Sequence, residues 1–227
     1  MSGHAKHIVF DWNSTLLDDF HIIHECMNLI VQKAGRPAVS EDHFRAAYEV
    51  PFERLYMNLG FTESEADHMM DLERSAFHDY YEPRAENAPL REGAAEVLQE
   101  AHDHHLQTYI LSNHLVEPIR TQLRRLSIEH FFTEVLAYAT RETQFRDMTK
   151  GERLRRYMAD KKITGQNAMI IGDSIEEIEI ARAGGLISIA ITGGGASEAR
   201  LRSEKPDYVI HSLRELKPIM QERGFVS

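Results

Sequence analysis

The sequence predicts an α/β fold in which a doubly wound parallel sheet carries an α-helical segment inserted after its first strand. Its main apolar runs are continuous rather than alternating, which is typical of strands buried on both faces. Stretches with helical spacing separate these runs, as the crossovers of a parallel sheet require. About 70 residues after the first run show helical patterns and no strand signal, so the helices there form one insertion.

Five segments have strand character. The first opens the stretch IVFDWNSTLLDD, in which three apolar residues lead into Asp11 and a polar turn follows. The other four lie far along the chain, at Thr108 to Asn113, Ala168 to Ser174, Ile187 to Thr192 and Asp207 to Ile210. We therefore expect a sheet assembled mainly from the second half of the chain, joined by the strand that precedes Asp11.

The inserted segment begins near Leu17 and ends near Pro89. Apolar residues repeat at helical spacing from Ile22 to Val31, Ser40 is placed to cap a second helix, and Thr62 with Glu65 has the spacing of a capping box. These signals predict a core domain formed by residues 1–17 and 88–227 and a helical cap domain formed by residues 18–87.

Composition limits the classes of function. The formal net charge is −10, which argues against a nucleic-acid or anionic-membrane surface because such surfaces need clustered Lys and Arg. Cys26 is the single cysteine, so no internal disulfide is expected, and its apolar neighbours predict a packed thiol. We expect a cytoplasmic protein, because the sequence shows neither a secretory signal nor a membrane span. No obligate protein partner is evident from the sequence.

Four short segments place polar residues at the ends of predicted elements, where ligands bind in open α/β sheets. Asp11 follows the first strand, Ser112 and Asn113 end the second, and Asp173 ends the third. Lys150 opens a helix, because Thr149 and Glu152 have capping-box spacing, and its ammonium and the free amides of that helix end can face an anion together. The same spacing at Ser174 and Glu177 puts Asp173 just before another helix.

These segments, DWNSTL, LSN, Lys150 and GDSIEE, resemble the four motifs of the haloacid dehalogenase superfamily. The resemblance covers nearly the whole chain and is of the phosphoglycolate phosphatase-like type, with a helical cap inserted after the first motif. It implies a Rossmann-like core and a Mg²⁺-dependent hydrolase that acts on a small phosphorylated metabolite.

The resemblance also implies roles for individual residues. Asp11 would attack phosphorus and become an aspartyl-phosphate, which divides a hard hydrolysis into two steps. Its carboxylate, the backbone carbonyl of Asn13 and Asp173 would hold Mg²⁺. Ser112 and Lys150 would bind the phosphoryl oxygens, with Asn113 beside them. Two roles are possible for Glu177: it supports the metal through water, or it only caps the helix.

The first motif departs from the family pattern at two positions. The phosphatases of the family usually have a second Asp where this chain has Asn13, and a Gly where it has Ser14. That Asp protonates the leaving oxygen and then deprotonates the attacking water, and an amide can do neither. Losing a general acid/base typically costs about 10² to 10⁴ in rate. We therefore expect impaired turnover, with Asn13 left to donate a hydrogen bond to phosphate, and a turn conformation at Ser14 that Gly reaches more easily.

Other functions stay open at this stage. A non-hydrolytic phosphate-binding or regulatory protein would keep the fold and metal site but lose turnover through Asn13. Dehalogenases use the same nucleophile without metal, and phosphonatases use a Lys of the cap, for which Lys33 is the candidate. Substrate choice should come from the cap segment AYEVPFERLY, in which Tyr48 and Arg54 are candidate substrate-binding residues.

Overall fold

A computed structural model describes residues 5–144 and 148–227, and its strands form one six-stranded parallel sheet. The strands are β1 (His7–Phe10), β2 (Gln107–Leu115), β3 (Phe132–Tyr138), β4 (Ala168–Gly172), β5 (Ile187–Ile191) and β6 (Tyr208–Ile210). Their order is β3-β2-β1-β4-β5-β6, with every neighbouring pair parallel. The order reverses between β1 and β4, which places a crevice beyond their carboxyl ends. The predicted doubly wound, Rossmann-like fold is confirmed.

Helices cover both faces of this sheet. Between β1 and β2 lie α1 (Phe20–Lys33), α2 (Glu41–Ala47), α3 (Phe52–Asn58), α4 (Glu63–Ala85) and α5 (Ala94–Asp103). After β2 come α6 (Val116–Arg125), α7 (Arg141–Gln144), α8 (Lys150–Lys161), α9 (Ile175–Gly184), α10 (Glu198–Ser203) and α11 (Leu216–Glu222). Ile8 and Phe10 of β1 share an apolar core with Leu98 of α5, while Val9 packs on the opposite face with Leu154 of α8. Burial on both faces explains why the strand sequences are continuously apolar.

Strand β3 is absent from the sequence prediction. It lies at one edge of the sheet and pairs only with β2 among the described strands. Its residues Thr133 and Glu134 are partly or fully exposed, and burial begins at Val135. An edge strand does not need the continuous apolar run by which the central strands are recognised, so its signal is weak.

Helices α1 to α4, residues 20–85, form what we call the helical segment. The predicted apolar face of α1 is buried from Ile22 to Val31. The Ser40 hydroxyl accepts from the His43 amide, and the capping box of Thr62 and Glu65 is formed in full. Cys26 is buried on α1, and this burial raises the pKa of its thiol to about 12. Within the described residues, no helix has both the length and the apolar character needed to cross a membrane.

Candidate active site

The carboxyl ends of β2, β1 and β4 bring together three predicted site residues. Phe10, the last residue of β1, is in register with Ile110 of β2 and Ile171 of β4. Asp11 continues this pairing, since its amide donates to the Ile171 carbonyl at 2.9 Å. Ser112 lies two residues after Ile110, and Asp173 lies two residues after Ile171. Both residues therefore lie beside Asp11 at the carboxyl end of the sheet.

Lys150 joins this group from the start of α8. The capping box of Thr149 and Glu152 is formed, and Lys150 is the first residue of the helix. Its side chain is buried, and its Nζ donates to Asp11 Oδ1 at 2.5 Å and to Glu177 Oε1. Burial alone would lower the pKa of Lys150, but the carboxylates of Asp11 and Glu177 hold it above its ordinary value. The site therefore contains a permanent ammonium beside the predicted nucleophile.

Glu177 uses its two carboxylate oxygens differently. Oε1 faces Lys150, while Oε2 accepts from the Ser174 amide at 3.1 Å and the Ser174 hydroxyl at 2.6 Å, which completes the predicted capping box. Gly172 makes this position accessible, because a Cβ at residue 172 would lie 2.1 Å from Glu177 Cγ. The glycine of the GDS sequence thus leaves room for a carboxylate that both caps α9 and pairs with Lys150.

Asp173 is buried and held by two hydrogen bonds. Thr15 Oγ1 donates to its Oδ1 at 3.0 Å, and the Gly195 amide donates to its Oδ2 at 2.5 Å. Burial and the nearby charge of Glu177 raise the pKa of Asp173 to about 6. Burial also raises the pKa of Asp11 well above its usual value, although Lys150 opposes this shift. Three buried carboxylates thus share the site with one ammonium, which contacts two of them, and an all-oxygen set with excess negative charge fits a hard dication such as Mg²⁺.

Asn13 is turned toward the helical segment. Its Nδ2 donates to Asp19 Oδ2 at 2.7 Å and to the Tyr81 hydroxyl at 2.6 Å, which uses both amide hydrogens. Its Oδ1 lies 3.5 Å from the Ser112 hydroxyl, which donates to it. The amide orientation follows from its partners, since Asp19 as a carboxylate only accepts hydrogen bonds. In this arrangement Asn13 offers an acceptor to Ser112, so the donation to phosphate expected from the sequence is not available.

Asp19 is a site residue that sequence reasoning missed. It is fully buried at the N-cap position of α1, yet its side chain does not cap that helix. Instead its Oδ1 accepts from the Ser14 amide at 2.6 Å, and its Oδ2 accepts from Asn13 and from Tyr81 of α4. Burial raises the pKa of Asp19, while the Asn13 and Tyr81 hydrogen bonds oppose the shift. An Asp before a helix is a common cap, so the sequence alone does not reveal this network.

The model of the haloacid dehalogenase-like hydrolase family matches residues 8–191. The chain belongs to this family. It is similar to the phosphoglycolate phosphatase of Vibrio parahaemolyticus, with 23% identity over 222 residues that cover 95% of this chain and 96% of that protein. It is also similar to the phosphoglycolate phosphatase of Pseudomonas fluorescens, with 23% identity over 219 residues that cover 93% of this chain and 78% of that protein.

Solved structures of haloacid dehalogenase-like proteins share the fold. A haloacid dehalogenase-like hydrolase from Streptococcus pneumoniae has a TM-score of 0.78 at 21% identity and covers 95% of this chain and 98% of its own. A protein from Clostridium acetobutylicum described as a predicted phosphatase has a TM-score of 0.77 at 19% identity, with 96% and 99% covered. At these identities the likeness shows the fold alone, over nearly all of the residues that the structure describes.

In this haloacid dehalogenase-like hydrolase, the first motif contains a residue with positive φ, and an arginine holds the same residue in place. Ser14 has φ +57°, the left-handed conformation anticipated for this position of the motif, which Gly reaches at lower cost. Arg91 donates to the Ser14 carbonyl at 2.6 Å and to the Thr192 carbonyl at 2.7 Å. The guanidinium therefore ties the loop after β1 to the loop after β5.

The grouped residues open onto a cavity of about 350 Å³ between the sheet edge and the helical segment. The predicted site residues that line it are Asp11, Asn13, Tyr48, Ser112, Asn113, Lys150 and Asp173. Asn113 is held by Glu176, to which its Nδ2 donates at 2.7 Å. Tyr48 packs on the loop after β5, where a Cβ at Gly195 would lie 2.5 Å from its ring.

Two predicted side chains do not reach this cavity. Arg54 is exposed and pairs with Glu49 at 3.0 Å, so the structure places it outside the cavity walls. Lys33 lies at the end of α1, where its Nζ is 4.9 Å from the centre of the Tyr80 ring, and it is not a wall residue either. Of the cap residues singled out in the sequence, Tyr48 is the one placed beside the motif residues.

Proposed function

We propose that the chain is a Mg²⁺-dependent phosphatase that hydrolyses small phosphorylated metabolites through an aspartyl-phosphate on Asp11. The observation that carries the proposal is the 2.5 Å contact of Lys150 Nζ, at the start of α8, with Asp11 Oδ1, at the end of β1. The relatives named phosphoglycolate phosphatase support the phosphatase class. A cavity of about 350 Å³ suits a small substrate.

Each residue has a defined part in this proposal. Asp11 attacks phosphorus, because it lies beside the ammonium and opens onto the cavity, whereas Glu177, the other carboxylate at Lys150, is engaged in capping α9. Lys150 and the Ser112 hydroxyl bind phosphoryl oxygens and compensate charge that develops in the transition state. Asp11, the Asn13 carbonyl and Asp173 would hold Mg²⁺, which would offset the charge of the buried carboxylates and of the phosphoryl group.

The helical segment serves as the cap in this proposal, with the domain boundary between residues 17 and 18 and between residues 87 and 88. Tyr48 contributes to the wall of the cavity from the end of α2, and Tyr81 contributes from α4. Closure of such a segment excludes water and completes the site around a bound substrate.

Asn13 limits turnover in this proposal. Its amide does not titrate, and its two N–H groups are already bound to Asp19 and Tyr81. The step that suffers most is attack by water on the phosphorylated Asp11, since no base at residue 13 takes the proton. With an activated aryl or acyl phosphate, which needs little protonation of its leaving group, phosphorylated Asp11 should therefore accumulate.

The experiment is a screen of phosphomonoesters with Mg²⁺, paired with rapid-quench measurement on an activated aryl phosphate. We expect an initial burst of released aryl product equal to the enzyme concentration, followed by slow turnover. The wild type should become phosphorylated, and Asp11→Asn should not. Ordinary alkyl phosphates should react slowly at both steps. Full phosphatase rates without a burst would contradict the limiting role of Asn13, and label on Asp11→Asn would move the nucleophile elsewhere.

The engagement of Asn13 with Asp19 and Tyr81 favours one second candidate, a non-hydrolytic protein that binds phosphate or regulates. It predicts phosphate binding that depends on Lys150, with no phosphorylation of Asp11 by any activated phosphate. The burst experiment separates the two functions, because only the phosphatase gives a covalent intermediate. The phosphonatase alternative loses its basis with the position of Lys33 outside the cavity.

A further inference from the structure

A group of nitrogen and oxygen ligands lies where α4 meets the end of β2, on the wall of the cavity. It consists of His78 and Glu82 on α4 and His114 on β2, whose ligand atoms lie within 4.8 Å of one another. His78 Nδ1 is 2.9 Å from Glu82 Oε1, and His114 Nε2 is 3.4 Å from the same oxygen. The sequence did not predict this group, because 36 residues separate His78 from His114 and only the fold brings them together.

His114 Nε2 is left without a hydrogen bond. The His114 side chain is buried, and among the residues that the structure describes no atom makes a hydrogen bond to this nitrogen, since its contact with Glu82 at 3.4 Å lacks the required geometry. A buried polar atom without a partner is costly. The nitrogen lies beside Glu82 Oε1, so a ligand bound between these groups would satisfy it.

Two of the three distances between the ligand atoms match tetrahedral coordination, whereas the two imidazole nitrogens are placed only within 4.8 Å of each other, so a bound ion would draw them together. Zinc–nitrogen and zinc–oxygen bonds of about 2.0 to 2.2 Å put neighbouring ligand atoms roughly 3.3 Å apart. The two distances to Glu82 Oε1, 2.9 and 3.4 Å, lie close to this value. Two imidazoles with one carboxylate select a transition metal over Mg²⁺, which prefers oxygen ligands.

The surroundings orient the group for such an ion. His78 Nε2 lies 2.8 Å from Gln144 Oε1, and Gln144 Nε2 donates to the Asn113 carbonyl at 2.7 Å, which directs His78 Nδ1 toward Glu82.

We propose that His78, Glu82 and His114 form a binding site for a transition-metal dication of the Zn²⁺ type, distinct from the oxygen site of Asp11 and Asp173. The fourth position would face the cavity, which His78 and His114 line, and would take water or an oxygen of a bound molecule. Because the ligands come from α4 and β2, the ion would hold the helical segment to the sheet. The site does not depend on phosphatase activity.

The test measures Zn²⁺ binding to the full chain by equilibrium dialysis in excess Mg²⁺. The wild type should bind one equivalent more than His114→Gln, His78→Gln and Glu82→Gln. His104→Gln is a matched control, because His104, which follows α5, also pairs with a Glu four residues before it, Glu100, at 3.5 Å. It should keep the full stoichiometry, and so should Asp173→Asn, which alters the oxygen site. Equal stoichiometry in the wild type and all three cluster variants would overturn the proposal.

A second measurement needs no variant and so does not depend on their folding. Co²⁺ bound by two imidazoles and a carboxylate with low coordination absorbs strongly in the visible range, whereas Co²⁺ in an octahedral oxygen site absorbs weakly. We expect the strong bands to appear with one equivalent of Co²⁺ in excess Mg²⁺ and to disappear on addition of Zn²⁺. A weak octahedral spectrum alone would contradict the site.

Discussion

Asp11 and Asp19 are buried carboxylates on the same loop after β1, yet they have opposite kinds of partner. Asp11 pairs with the ammonium of Lys150 and opens onto the cavity. Asp19 receives its hydrogen bonds from the neutral groups of Asn13, Ser14 and Tyr81. Burial raises the pKa of both carboxyls.

The difference indicates that one short loop holds two carboxylates with different roles, one placed to react and one that anchors the loop. Asp11 has a cation at one oxygen and space for an electrophile, so it can react. Asp19 is enclosed by donors that tie the loop to α4, so it fixes the position of Asn13. The following predictions test this division, from the largest expected effect to the smallest.

Exchange of each carboxylate for an amide should separate the two roles most clearly. Asp11→Asn should abolish phosphoryl transfer, because an amide is not a competent nucleophile toward phosphorus. Asp19→Asn keeps the shape of the anchor and leaves Asp11 in place, so measurable burst formation should persist. The check is the burst amplitude with an activated aryl phosphate. Equal loss in both variants would mean that Asp19 is as necessary to the reaction as Asp11.

The gain in turnover from restoring an acid at residue 13 should depend on the residue at position 19. In Asn13→Asp alone, a second carboxylate would lie at the 2.7 Å hydrogen-bond distance from Asp19 Oδ2, and the two charges would repel. In the double variant Asn13→Asp with Asp19→Asn, the amide and the acid exchange places and the hydrogen bond is kept. We expect the double variant to raise steady-state turnover by about 10² to 10⁴ over the wild type.

The single variant Asn13→Asp is the control for that exchange. It should gain less turnover than the double variant and should unfold at lower denaturant concentration than the wild type. Two measurements, steady-state kinetics and urea unfolding, decide the matter. Full rescue by the single variant, without loss of stability, would show that Asp19 places no constraint on residue 13.

Removal of the ammonium should weaken the fold as well as phosphate binding. Lys150→Met leaves Asp11 and Glu177 buried without their cation, and breaking a buried pair in this way costs about 3 to 5 kcal/mol. Mg²⁺ binding should persist, since the oxygen ligands are unchanged. Urea unfolding measures the loss, with the exposed Lys161 of the same helix changed to Met as the control. A loss no larger than that of Lys161→Met would contradict the buried pair.

Tyr81→Phe should have a smaller effect that depends on pH. It removes a donor to the Asp19 carboxylate and should cost about 1 to 3 kcal/mol in the free energy of unfolding at neutral pH. Because the pKa of Asp19 is raised in the folded state, its ionised form is disfavoured, and stability falls as pH rises from its ordinary value of 3.8 through the raised one. The Tyr81 hydrogen bond opposes this fall. The cost of the variant should therefore shrink at acid pH, and a pH-independent cost would point to lost packing.

Much of the fold was predictable because it depends on local patterns. The buried strands, the apolar face of α1 and the capping boxes at Thr62, Thr149 and Ser174 each follow from spacing within a few residues. Edge strand β3 was not predictable in this way, because half-exposed residues do not form a continuous apolar run.

The site was predictable to the extent that its residues end strands or start helices. The motif residues Asp11, Lys150 and Asp173 have this property, Ser112 lies near the end of β2, and the fold brings the four together. The partners of Asn13 do not, because Tyr81 comes from the middle of a long helix and meets the loop only through tertiary packing. Arg54 pairs with Glu49, which also pairs with Arg200 of α10 at 2.8 Å, so the surroundings of Arg54 include a contact between distant parts of the chain that local patterns do not reveal.

The glycines after β5 give the helical segment a mechanical link to the metal-binding carboxylate proposed at Asp173. Arg45 of α2 donates to the carbonyls of Gly194 and Gly193 at 3.0 and 3.3 Å, while the next amide, that of Gly195, holds Asp173 Oδ2 at 2.5 Å. A displacement of α2 therefore pulls on the peptide that restrains this oxygen. If the cavity opened by a movement of α2, the hydrogen bond at Asp173 Oδ2 would be strained in the same movement.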